Sequence, residues 1–84
     1  GNIHVNFVID REDADAIARA RECVSETFKL SVALGGTISG EHGIGYVKSQ
    51  YMHYAIDVPT LEIMKGIKRV FDPKGILNPG KMFV

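Results

Sequence analysis

Eighty-four residues allow one small domain with a thin core, and a single cysteine, Cys23, excludes an internal disulfide. Ten basic and ten acidic residues cancel to zero formal charge, which argues against a nucleic-acid partner that needs a basic face. No apolar run approaches the roughly 18–20 residues that cross a bilayer, and no signal peptide is recognisable. The charge is uneven: residues 1–44 carry seven acids and four bases, and residues 45–84 carry three and six. Solvated helix faces explain most of that; a basic patch for an anionic ligand is the sharper alternative.

Residues 2–9 are rich in β-branched and aromatic types and predict a strand. Its alternation puts Asn2, His4 and Asn6 on one face and Ile3, Val5, Phe7 and Ile9 on the other. The apolar face is expected to pack on a helix. The polar face, an imidazole between two amides, suits a metal or an oxygen-rich ligand; an open, solvated face is the plainer reading.

Residues 10–34 predict one long helix with Asp10 as its N-cap. Ile17, Ala20, Val24, Phe28 and Val32 recur at three- and four-residue steps and mark its core face. Cys23, beside that stripe, is expected to be buried and inert. Gly35-Gly36 stops the helix.

Residues 35–45, Gly-Gly-Thr-Ile-Ser-Gly-Glu-His-Gly-Ile-Gly, hold five of the nine glycines and set an acid beside an imidazole. Loops of this kind, carried on a rigid scaffold, concentrate binding and catalytic groups. Glu41 and His42 are each able to ligate a divalent metal. Neighbours in an extended loop point to opposite sides, so one ligand and one substrate-facing group are expected rather than two ligands. The spacing is neither the HExxH helix motif nor a phosphate loop.

Residues 46–56 predict a short helix, with Lys48 able to lean back toward an anion at the loop. Residues 58–71 predict a second clear helix. Pro59 sits in its first turn, Leu61, Met64, Ile67 and Phe71 form a core stripe, and Ile63 and Val70 widen it. Asp72-Pro73 ends the helix. The tail from Ile76 to Val84 has apolar residues at both ends of an Asn-Pro-Gly turn and is expected to dock on something rather than hang free.

Three motifs now stand in order: Gly-Asn-Ile-His-Val-Asn at residues 1–6, the glycine-rich Glu-His loop, and Phe-Asp-Pro-Lys-Gly-Ile-Leu-Asn-Pro-Gly-Lys at residues 71–81. Together they resemble the C-terminal part of FAD-linked oxidases of the vanillyl-alcohol-oxidase superfamily. The resemblance is strongest to its branch of glycolate oxidase FAD subunits, D-lactate dehydrogenases and D-2-hydroxyglutarate dehydrogenases. It covers nearly the whole chain. It implies FAD and a divalent metal, zinc or manganese, as cofactors. It also implies oxidation of a D-2-hydroxy acid to the 2-oxo acid by hydride transfer to the flavin.

Carried over residue by residue, the resemblance makes His4 and Glu41 metal ligands and Asn6 a contact to the substrate carboxylate or hydroxyl. His42 becomes the general base at the substrate, and Asn78 lies in the motif that approaches the flavin. A further histidine ligand belongs upstream of residue 1 in the family's pattern. Residues 1–84 are thus expected to be a partial C-terminal domain, a piece of the substrate (cap) domain with its tail, inactive by itself without the FAD-binding domain.

The expected fold is α+β and mostly helical: one strand, a long helix, the glycine-rich loop and two further helices. The expected partners are a small 2-hydroxy acid, the FAD-binding domain of the same chain, and other oxidase subunits or a second copy pairing along residues 2–9. The expected location of the intact enzyme is cytoplasmic or peripheral to the membrane. A non-enzymatic interaction or metal-binding module is the alternative.

Overall fold

The computed structural model describes residues 1–83. Its regular elements are α1 (Ala14–Ala33), a 3₁₀ turn (Ser49–Tyr51), α2 (Met52–Ala55) and α3 (Val58–Phe71). The α+β expectation is corrected here: the described residues contain helices and no strand. Residues 2–9 form no ladder, because a strand exists only where its backbone groups find a neighbouring strand. The mostly helical character holds. The apolar side chains of residues 2–9 stay largely in solvent instead of packing on a helix, with Ile3 81% exposed.

α1 starts three residues later than the sequence predicts. Asp10 organises a turn ahead of the helix, its carboxylate accepting from the Glu12 N–H at 3.0 Å and its carbonyl from the Asp13 N–H at 3.1 Å. Asp13 is the actual N-cap, accepting from the N–H groups of Asp15 and Ala16. At the other end Gly35 takes φ +86, a left-handed angle that glycine adopts without a Cβ penalty. The Ser31 hydroxyl then donates to the Thr37 carbonyl at 2.9 Å, so the chain leaves α1 bent back toward the glycine-rich loop.

The stripe Ile17, Ala20, Val24, Phe28 and Val32 is half-buried, as its periodicity implies, but Cys23 is exposed rather than buried. Phe28 meets Tyr51 with ring centroids 5.0 Å apart, and Ser25 shares a 2.8 Å hydrogen bond with the Tyr54 hydroxyl. These contacts join α1 to the 3₁₀ turn and α2. The only buried apolar residues among the described residues are Ile38 of the loop and Met52 of α2, and no side chain among them is fully buried.

α3 covers the predicted span, and Asp57 caps it by accepting from the Thr60 N–H at 2.9 Å. Leu61 and Met64 are half-buried, whereas Ile63, Ile67, Val70 and Phe71 lie open, Phe71 at 80%. The core role expected of the whole stripe therefore holds only for its first turns. The radius of gyration is 15.0 Å, against about 12 Å for a self-contained domain of this length. This open packing leaves apolar surface that a free-standing domain would bury.

After α3 the chain folds around Asp72, whose carboxylate is buried. It takes Lys68 from one turn earlier and the N–H groups of Ile76 and Leu77 at 3.1 and 3.0 Å, while Lys68 also reaches the Leu77 carbonyl at 3.0 Å. The hydrogen bond from Lys68 holds the Asp72 carboxyl below its ordinary pKa, against the opposing effect of burial. The described part of the tail touches the rest of the chain: Met82 donates to the Gly45 carbonyl, and Lys81 lies 5.0 Å from the Tyr46 ring centre, while Val84 lies outside the described residues.

Candidate metal and substrate site

The site is built where the first residues of the chain cross the glycine-rich loop. Gly40 makes the crossing possible, since a Cβ there would run into the Asn2 side-chain amide. With that approach, the Asn2 amide donates to Glu41 Oε1 at 2.9 Å, and His4 Nε2 lies 2.8 Å from the same oxygen. His42 Nε2 lies 4.0 Å from it, and the His4 and His42 rings meet edge to face with centroids 5.5 Å apart.

One donor atom from each of His4, Glu41 and His42 falls within 4.8 Å of the others, and all three side chains are exposed. The expectation that Glu41 and His42 diverge is therefore corrected. Gly43, at φ +71, follows His42, and the loop is bent there rather than extended, so both neighbours reach the same side. Two imidazoles and a carboxylate are a donor set that suits zinc or manganese. The chemistry of the donors thus fits a divalent cation.

A groove of about 560 Å³ runs past this cluster. One wall is the end of α1 and its C-cap, with Phe28, Leu30 and Leu34; the other is the loop and residues 2–6, apolar Ile3 and Val5 included. Asn6 lines the groove, but so do Ile3 and Val5, so the two-faced alternation expected of residues 2–9 does not sort the lining. Lys48 also lines it, its ammonium donating to the Ile38 carbonyl at 3.3 Å. Asn78 does not: it stands in the tail turn at φ +47, exposed and outside the groove lining. The alternation places Asn2 on the polar face but gives it no role of its own, and the structure makes it a partner of Glu41. Its place on the same face as His4 was the available signal.

The whole site lies within a recognisable family segment. Residues 1–82 match the family described as FAD linked oxidases, C-terminal domain. The chain belongs to that family. It is 41% identical over 83 residues to glycolate oxidase subunit GlcD of Bacillus subtilis (strain 168), covering 99% of this chain and 18% of that protein. It is 40% identical over 85 residues to D-2-hydroxyglutarate dehydrogenase of Stutzerimonas stutzeri (strain A1501), again 99% of this chain and 18% of the relative. A probable mitochondrial D-lactate dehydrogenase of Danio rerio is 35% identical over 82 residues, 98% of this chain and 16% of its own. The chain thus spans less than a fifth of the curated relatives it matches. No solved structure matches it. No helix among the described residues is long and apolar enough to cross a membrane.

Proposed function

We propose that residues 1–84 form the C-terminal part of a flavin-dependent oxidoreductase that converts a D-2-hydroxy acid, of the glycolate or D-lactate type, to the 2-oxo acid. The observation that carries this reading is the convergence of His4, Glu41 and His42 on one groove. Family membership and the printed activities of the relatives support it. The FAD-binding domain belongs to the remainder of the parent protein.

In this reading His4 and Glu41 hold a divalent cation, zinc or manganese. When bound, the cation supplies Lewis-acid polarisation and the flavin a two-electron acceptor. Oxidation removes a proton from the substrate hydroxyl and a hydride from the α-carbon. His42 takes the proton, as a neutral imidazole with a free ring nitrogen is able to do. Its place on the rim, exposed and 4.0 Å from Glu41, leaves that nitrogen open to a ligand in the groove. Asn6 orients the substrate through its amide, and Asn78 serves the flavin side from the tail turn.

The proximity of His42 to the other two donors favours a second assignment, with His42 as a third ligand. The test is metal content together with turnover in the full-length protein. His42→Ala with metal retained and turnover lost assigns the base; His42→Ala with metal lost assigns the ligand. Full metal content in both His4→Ala and Glu41→Ala would overturn the site altogether.

A further inference from the structure

A 2-hydroxy acid brings a permanent carboxylate into the groove, and that charge needs a counter-charge. At the cluster, Glu41 offsets part of the charge of the divalent cation it would hold, which leaves a role for a cationic side chain elsewhere along the groove. Lys48 is the single lysine or arginine along the groove lining. It is half-buried, and among the described residues it pairs with no carboxylate. Its ammonium has three N–H donors, and one is occupied, by the Ile38 carbonyl at 3.3 Å. The Phe28 ring lies 5.7 Å from the same nitrogen, which holds the side chain against the α1 wall instead of letting it stretch into water.

A partly desolvated cation with spare donors and no protein counter-ion is a receptor for an anion. Lys29, Lys65 and Lys68 each have an acid within a turn on their own helix or at its end. Lys74 and Lys81, which pair with no carboxylate among the described residues either, are exposed and outside the groove lining, so only Lys48 of the lysines combines partial burial with a place on the groove. We infer that Lys48 is the seat of the substrate carboxylate, binding the acid end of the 2-hydroxy acid while the hydroxyl end faces His42. This inference rests on the 2-hydroxy-acid reading above and adds a binding residue to it.

The seat has a consequence for the loop. Lys48 is tied to Ile38, one of the two buried apolar residues, so its ammonium is anchored to the same loop that carries Glu41 and His42. Carboxylate and hydroxyl would then be read by groups on a single segment, residues 38–48, and their spacing would be fixed by that segment alone.

The experiment uses the full-length protein, loaded with FAD and metal, with oxamate as a non-reacting carboxylate probe. Equilibrium binding of oxamate and metal content are measured for wild type, Lys48→Met and Lys48→Arg. Loss of a charge-assisted hydrogen bond predicts oxamate binding weakened about tenfold to a hundredfold in Lys48→Met, with partial recovery in Lys48→Arg and unchanged metal content. Unchanged oxamate affinity in Lys48→Met overturns the seat. So does weakening that tracks a parallel loss of metal, because Lys48 then only supports the loop. The two readings fail separately. Lys48-dependent oxamate binding in a protein that oxidises no 2-hydroxy acid removes the proposed function and keeps the seat. Oxidation with Lys48-independent binding does the reverse.

Discussion

Two carboxylates in this chain are used in opposite ways. Asp72 is buried and filled by its own surroundings: an ammonium and two backbone N–H groups occupy its oxygens. Glu41 is exposed, and its partners are an amide and an imidazole that arrive from residues nearly forty positions away. The first carboxylate closes a turn and has little capacity left for anything else. The second keeps lone pairs free and is surrounded by groups that are themselves metal donors. A saturated acid holds a fold together, whereas an unsaturated acid beside imidazoles is available to a ligand.

The contrast is sharpest at the Glu41 end. Glu41→Gln in the full-length protein is expected to abolish both metal content and hydroxy-acid turnover while leaving the melting temperature of the metal-free protein nearly unchanged. His42→Ala should lower kcat by about 10²–10⁴-fold with metal retained, the range of a lost general base. Single-turnover flavin reduction measures it. A large drop in metal-free stability from Glu41→Gln would erase the distinction drawn from Asp72.

A smaller effect is expected at Gly40. Gly40→Ala places a methyl group where the Asn2 amide lies and forces the first residues off the loop. Metal affinity should fall about 10–100-fold, the usual size of an outer-sphere disturbance, and competition with a chromogenic chelator reads it.

Asp72→Asn should act in the reverse sense, lowering the melting temperature with metal content unchanged. The pH dependence has a definite sign. Because Lys68 holds the Asp72 carboxyl below its ordinary value, folding is stabilised above the ordinary carboxylate pKa of about 4, and that stabilisation is lost as pH falls through the lowered folded value. The gap in melting temperature between wild type and Asp72→Asn should therefore be full at pH 6 and close below about pH 4. A gap that widens in acid contradicts the assignment. The smallest effect belongs to Tyr54→Phe, which removes the hydrogen bond to Ser25 and should cost about 0.5–1.5 kcal/mol in chemical denaturation.

The two ends also differ in how far the sequence reveals them. α3 was legible to the residue, since Pro59 and Asp72-Pro73 bracket it chemically. α1 was legible in its face but not in its start, because Asp10 and Asp13 are both competent caps and only the turn between them decides. The strand at residues 2–9 was read from alternation, a property of side chains. Whether a strand forms depends on a backbone neighbour, and alternation carries no information about one. Asn2, His4 and Asn6 do line the groove, but Ile3 and Val5 from the other predicted face line it with them, so the alternation did not separate a site face from a core face. The shared side of Glu41 and His42 was not legible: it follows from a loop bent next to a left-handed glycine, which spacing does not encode.

The flank of α3 that carries Ile63, Ile67, Val70 and Phe71, continued by Ile76 and Leu77, is wetted along its length. Oily surface of this extent is sticky in water. Produced by itself, the polypeptide should bind a phenyl column strongly, precipitate early in ammonium sulfate and remain dispersed best when dilute and cold. Those handling properties arise at a face opposite in character to the His4–Glu41–His42 cluster, so mutations that cure the stickiness are free to leave that cluster alone.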